Sequence, residues 1–464
     1  MLKYRHELLA GRSIITCNRE THLNVRTLLP EKNAYIIIPG KNWKLSLAEI
    51  ITFLKARRVN FNITDLSKSF FTLTSERTLD PNIVDSLGGT IKLGRVLSQI
   101  PTETVEHAFL QKNEQALKDT KNCLLSDTVF NNLFQNPLNK QLFGASVYVE
   151  NPRLIRPSKR IQRSVGSCLK DELAARGTKA RFMGFPKSRR LPQLTHVETL
   201  KKNLAGNGTE ILFCIGKTET YVSKTLSVHN PFEFQKRDIN RPIQRKICSI
   251  PPRLAKIMVN LSKCLPEKTL LDPFCGVGTI LQEALLAGAQ VTGIDIDPWC
   301  VKASLTNLSW LTNEYGLKDA KFKVSTGDSR HLTGRIGRET IDCIVTEPDL
   351  GPPLRHLPTE AYAGRIISRL KPLYASFLQG AYEALRPGGN LVFVTPHMKT
   401  RSGNFVTLNL EEVNTIGFRK THPFENGTLI DRSSPVEELA TASSFVDIAK
   451  RHKIGRKINI LQKQ

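Results

Sequence analysis

The chain has 464 residues, about three domains' worth, and its 67 Lys and Arg against 42 Asp and Glu leave a net charge of +25. Such an excess points to a polyanionic partner, nucleic acid or an acidic membrane surface, and away from a neutral metabolic enzyme. With 40% hydrophobic residues and no apolar run near the roughly 18 residues of a spanning helix, the composition excludes a disordered chain and a helical transmembrane protein.

Residues 1–32 form a basic, polar arm in which Glu7 and Glu20 interrupt the acid-poor pattern of a transit peptide, and no secretory leader is expected. A first α+β unit covers 33–110: a strand at Ala34 to Ile38, the turn Pro39-Gly40, then a helix opened by the capping-box-like Ser46-Leu47-Ala48-Glu49. Strands at Ser69 to Thr74 and Thr90 to Ile100 flank a helical Pro81 to Leu87. Residues 111–140 are polar and Asn-rich and read as a connection, either irregular or helical in part. A second α+β unit, 141–233, has strands at Ala145 to Val149, Ala180 to Phe185, Glu210 to Ile215 and Thr220 to Val228, with helices at Val165 to Ala175 and Leu194 to Leu204. Its basic residues Arg153, Arg156, Arg160, Lys187, Arg189 and Arg190, with few acids among them, suit RNA phosphates better than a merely solvated face. A Pro- and Arg-rich linker, 234–252, leads to 253–464, where helices alternate with strands at Thr269 to Asp272, Gln290 to Asp295, Ile341 to Thr346 and Asn390 to Thr395. That alternation predicts an α/β fold with a Rossmann-like, doubly wound sheet.

The nine cysteines stand singly, with no CxxC pair and no histidine at zinc-ligand spacing. They read as free thiols in a reducing cytosol, and no metal site is expected.

The strongest chemical signal is Asp272-Pro273-Phe274-Cys275-Gly276-Val277-Gly278-Thr279, set between a short strand and a helix. Its glycines let the backbone approach a ligand, and the helix start offers N–H groups to an anion such as a carboxylate. Lacking the Lys-Ser/Thr of a P-loop and the glycine spacing of a dinucleotide fingerprint, it suits an aminoacyl cofactor better than ATP or NAD. The contacts expected of it are Asp272, Phe274, Gly276, Gly278 and Thr279. Asp295, ending the next strand, is placed to accept two ribose hydroxyls. Asp297, followed by Pro298, reads first as a helix N-cap. Asp328, after the third strand, is a candidate for an adenine amino group and equally for a loop cap.

With these residues the C-terminal half resembles a class I S-adenosylmethionine-dependent methyltransferase. The Asp-Pro-Phe-Cys-Gly-x-Gly-Thr wording is similar to that of the RNA amino-methyltransferases. Arg237-Asp238-Ile239-Asn240-Arg241-Pro242, then Pro251-Pro252-Arg253-Leu254-Ala255, resembles the linker of the tRNA guanosine-10 N2-methyltransferase family of archaea and eukaryotes. Leu87-Gly88-Gly89-Thr90-Ile91-Lys92-Leu93-Gly94 and the second α+β unit resemble that family's ferredoxin-like segment and THUMP domain. The resemblance implies S-adenosylmethionine as cofactor, the N2 amine of a guanosine in tRNA as acceptor and a cytoplasmic setting. It leaves a small activating subunit open, since some eukaryotic relatives require one.

The catalytic segment departs from the family. Such enzymes carry Asp/Asn-Pro-Pro-Tyr/Phe after the fourth strand, whereas this chain reads Glu347-Pro348-Asp349-Leu350. Glu347 and the Pro348 carbonyl are then the acceptors expected for the target amine. The aromatic is absent, and with it a stacking contact of about 1–3 kcal/mol. The alternative is a catalytically impaired RNA-binding pseudo-methyltransferase or scaffold.

Overall fold

In the computed structural model, residues 33–135, 140–185, 189–245, 249–410, 417–421, 423–424, 439, 444–448 and 452–464 are described. Eight strands form the N-terminal sheet: β1 (Ala34–Pro39), β2 (Phe61–Leu66), β3 (Phe71–Ser75), β4 (Thr90–Pro101), β5 (Lys140–Val149), β6 (Lys179–Met183), β7 (Thr209–Ile215) and β8 (Glu219–Val228). Their order is β2-β3-β1-β4-β8-β7-β5-β6. The first and second α+β units therefore share one sheet, joined where β4 pairs antiparallel with β8 from Lys92↔Val228 to Pro101↔Glu219. The stretch 111–140, expected as a connection, carries two helices, Glu114–Leu125 and Asp127–Leu133. Their Leu124, Val129, Phe130 and Leu133 are buried in the core under β5 and β7. Asn113 caps the first of them, accepting the Ala116 N–H at 2.9 Å.

The first helix, Trp43–Ala56, starts earlier than the sequence suggests, capped by Asn42. Ser46 and Glu49 are not a capping box. Glu49 is fully buried and accepts the N–H groups of Gly88 (2.8 Å) and Gly89 (2.7 Å), while Ser46 Oγ donates to Gly89 O at 2.8 Å. Burial raises the Glu49 pKa above the usual carboxylate range even though these N–H groups and the Asn260 amide oppose it.

This turn also clasps the C-terminal unit. Arg253 donates to Gly88 O through Nε (2.8 Å) and Nη2 (2.6 Å), and Asn260 Nδ2 donates to Glu49 at 2.7 Å. Both come from the helix Pro252–Leu261. A Cβ at Gly88 would lie 2.3 Å from Arg253 O, so the backbones meet only because residue 88 is glycine. Gly88→Ala is expected to lower stability by about 1–3 kcal/mol, read as a lower denaturant midpoint. A midpoint equal to wild type would show that the clasp is slack.

The C-terminal sheet contains β9 (Thr269–Asp272), β10 (Gln290–Asp295), β11 (Phe322–Thr326), β12 (Ile341–Thr346), β13 (Leu385–Lys399), β14 (Phe405–Thr407), β15 (Phe418–Lys420), β16 (Ser444–Asp447) and β17 (Ile454–Lys463). Its order is β11-β10-β9-β12-β13-β17-β15, with β14 on β13 and β16 on β17. Strands β9 to β13 are parallel, and β17 enters antiparallel beside β13. This is the α/β, Rossmann-like arrangement expected. Order reverses at β9, so the carboxyl ends of β9, β10 and β12 open on one crevice, the usual place for a ligand in such sheets. Among the described residues no helix is long and apolar enough to cross a membrane, and no His, Cys, Asp and Glu cluster is able to hold a metal ion.

Candidate functional site

The crevice is built on the loop between β9 and the helix Thr279–Leu286. Gly278 caps that helix in the left-handed region (φ +85°), and a Cβ there would lie 2.5 Å from Ser304 Oγ. Asp272 is buried, and its Oδ1 accepts Thr346 Oγ1 at 2.6 Å and the Phe274 N–H at 3.2 Å. Asp295 anchors the loop from the neighbouring strand: its Oδ2 accepts the Gly276 N–H at 2.8 Å and its Oδ1 the Asp297 N–H at 2.9 Å. Each oxygen keeps a lone pair for a further donor. Asp297 is the N-cap of the helix Pro298–Glu314, its side chain accepting the Trp299 N–H.

Asp272, Phe274, Gly276, Thr279 and Glu347 line one cleft. Asp328 lies apart from that lining, although its neighbour Gly327 donates to Asp295 O at 2.9 Å. The Asp328 carboxylate caps the turn Ser329–Gly334 and is gripped by Arg330, whose side-chain hydrogen bond pulls its pKa down to about 2.

Burial pushes the Asp272 pKa up to about 7, with Asp295 and Glu347 adding repulsion and the Thr346 hydroxyl opposing it. The folded chain therefore keeps a proton that the unfolded chain loses near pH 4. Stability from this group is complete below pH 4 and is lost as pH rises through 7, by about 4 kcal/mol in all. Urea unfolding of wild type and Asp272→Asn should diverge between pH 5 and pH 8, the wild type falling further. Parallel profiles would show that Asp272 is not the group titrating.

Glu347, just past β12, is held by Arg456 of β17 through Nε (2.5 Å) and Nη2 (3.1 Å). Both side chains are largely buried, at 12% and 11% exposure. A planar guanidinium in a two-point grip fixes the carboxylate's orientation. Sequence reasoning missed Arg456, which stands 109 residues from its partner in a strand without a motif. It also gave no role to Arg241, although that residue stands inside the linker wording: buried, it donates to Thr279 Oγ1 at 2.6 Å and to Ser249 Oγ at 3.1 Å. Asn307 completes the attachment, donating to Val277 O and Ile243 O at 2.9 Å each. The stretch 234–252, read as a linker, thus begins within the helix Pro231–Ile239 and then braces the glycine loop.

Asp349, which stands at the motif's second proline with Leu350 in the place of the aromatic, accepts the Gly351 N–H on its Oδ1 at 2.9 Å. Its carbonyl accepts the Tyr374 hydroxyl at 3.1 Å.

The basic residues expected to meet RNA lie on helices and loops of the N-terminal unit, Arg153 in the helix Pro152–Ile155 and Arg160 in Ser158–Ala175, and none of those described lines this cleft. Arg153, Arg156, Arg160 and Arg190 are exposed, and Arg160 sits 5.7 Å from the Phe109 ring. Arg189 is held by both oxygens of Glu198 at 2.8 and 2.9 Å, so its guanidinium is largely committed to the protein. Lys187 lies outside the described residues.

Residues 241–414 match the model of the family UPF0020, described as "RMKL-like, methyltransferase domain". That span is thus similar to a methyltransferase domain. The span holds the glycine loop, Asp295, Asp328 and Glu347, and ends before Arg456.

The chain is 39% identical over 149 residues to the tRNA (guanine(10)-N2)-dimethyltransferase of Methanothermobacter thermautotrophicus, covering 32% of this chain and 39% of that one. With the enzyme of the same name from Pyrococcus abyssi it shares 31% over 227 residues, 49% of this chain and 60% of the relative. The mouse tRNA (guanine(10)-N(2))-methyltransferase TRMT11 is 27% identical over 176 residues, 32% of this chain and 38% of that protein. The matches to these three relatives span between 38% and 60% of their lengths. In fold, the chain is similar to TrmN from Thermus thermophilus, with a TM-score of 0.50 at 16% identity over 93% of this chain and 100% of the other.

Proposed function

We propose that this chain binds S-adenosylmethionine and transfers its methyl group to the N2 amine of a guanosine in tRNA, position 10 by likeness to the relatives. The observation that carries the reading is Glu347 facing the same cleft as Asp272 and the glycine loop. Asp272 in that cleft feels the charges of Asp295 and Glu347, a concentration of carboxylates that suits a ligand bearing positive charge. S-adenosylmethionine supplies, when bound, an electrophilic methyl on a cationic sulfur.

The residues divide the work. Asp295 offers its remaining lone pairs to ribose hydroxyls, and the backbone N–H groups at the helix start suit the cofactor's carboxylate. A guanine amine is a weak nucleophile, its lone pair drawn into the ring, so alignment and stabilisation of the growing positive charge matter most. Glu347 accepts a hydrogen bond from that amine with Arg456 holding its orientation, and the Pro348 carbonyl is a second acceptor.

Nucleoside mass spectrometry of tRNA treated with the chain and S-adenosylmethionine tests the reading. Appearance of N2-methylguanosine supports it; unmodified guanosine, with and without a cytosolic fraction to supply an activating subunit, removes it. That subunit and the cytoplasmic setting are part of the proposal by resemblance to the eukaryotic enzymes.

The same reading assigns tRNA grip to Arg153, Arg156 and Arg160. The triple Ala variant should flatten the salt dependence of tRNA binding by about 2–3 in log–log slope while cofactor affinity is unchanged. Filter retention across a salt series measures it, and an unaltered slope makes these arginines a solvated face.

A further inference from the structure

We propose that a second cleft of the C-terminal unit, beside β14 and β17, holds a phosphate of the RNA strand between Lys420 and Lys457, with an adjoining base on Phe405; this deepens the tRNA reading and rests on it. The cleft is lined by Thr407, Lys420, Ser444, Lys457 and Asn459, and neither lysine takes part in an ion pair among the described residues. Lys457 is half-buried, and its pKa is depressed first by burial and then by Lys420. Among the described residues no carboxylate offsets these ammonium groups: Lys457 loses hydration and is repelled by Lys420, a cost that an anion beside them removes.

The neighbouring polar atoms lack partners as well. Thr407 Oγ1 and His397 Nδ1 are buried without a hydrogen bond among the described residues. The pairing His397↔Thr407 and Lys399↔Phe405 puts His397, Phe405 and Thr407 on one side of the β13–β14 hairpin. Met398 and Val406, on the other side, pack in the core. Phe405 lies flat on His397, centroids 4.3 Å apart and planes 14° from parallel, yet is 46% exposed.

A phosphodiester offers negative charge for the lysines and acceptor oxygens for the hydroxyl, while the base next to it offers a face for Phe405. An acidic peptide would satisfy the lysines and leave the ring bare. Arg456 and Lys457 are successive residues of a strand, so their side chains take opposite faces: one braces Glu347 and the other lines this cleft. The cleft is therefore a strand-holding subsite separate from the catalytic one.

The test uses the full chain as wild type, as the double variant Lys420→Gln/Lys457→Gln, and as Phe405→Ala. The readouts are tRNA binding across a salt series, calorimetric titration with inorganic phosphate, and cofactor affinity as a check of the fold. The double variant should lower the salt slope by about 1.5, and Phe405→Ala should weaken tRNA binding about tenfold with the slope unchanged. Normal tRNA binding by both variants overturns the inference while leaving the proposed function standing. Phosphate binding that the double variant abolishes without any change in tRNA binding also overturns it, reassigning the cleft to a free anion. A wild-type chain that binds no tRNA removes the proposed function itself.

Discussion

Glu347→Gln is expected to reduce methyl transfer to tRNA by about a hundredfold or more, with cofactor and tRNA affinities near wild type. Glutamine keeps an oxygen acceptor of similar reach and gives up the negative charge that offsets the cation forming on the amine. It also disarms the grip of Arg456, which holds both carboxylate oxygens, at 2.5 and 3.1 Å. Alignment and charge are thus lost together, and the effect belongs to the rate more than to binding. Initial rates with labelled S-adenosylmethionine measure it. A rate within threefold of wild type would remove Glu347 from the chemistry.

Asp295→Ala should weaken S-adenosylmethionine binding by about ten- to a hundredfold, the cost of leaving two ribose hydroxyls without an acceptor in a partly buried site. The structure adds a second cause, since Asp295 also holds the N–H groups of Gly276 and Asp297. Deleting it loosens the loop that faces the cofactor as well as the ribose contact. Asp295→Asn, which keeps one acceptor oxygen, should recover part of the affinity. Calorimetric titration of the folded variants decides, and an affinity unchanged in Asp295→Ala would move the ribose to another residue.

Features legible in the sequence share one property: their determinants are close along the chain. Strand, glycine loop and helix follow one another within 269–286, so the loop's conformation is set by its own eight residues and the elements touching them. Asp297 declares itself as a cap because the atom it accepts belongs to Trp299, two residues on. The alternation of apolar strands with helices likewise announces a parallel sheet, since each unit buries its own face against the next.

Other features depended on partners the local pattern does not contain. Ser46 and Glu49 have the spacing of a capping box, but Glu49 finds two N–H groups at Gly88 and Gly89, and a buried carboxylate takes the donors that satisfy it wherever they lie in the chain. The two α+β units 33–110 and 141–233 share one sheet because β4 and β8 pair across more than a hundred residues. Sequence alone sufficed for the order of strand, glycine loop and helix, the Asp297 cap and the α/β class, because short-range geometry dictates them. The grip on Glu347 came only with tertiary structure: β17 returns antiparallel beside β13, and that topology carries Arg456 to a carboxylate 109 residues away.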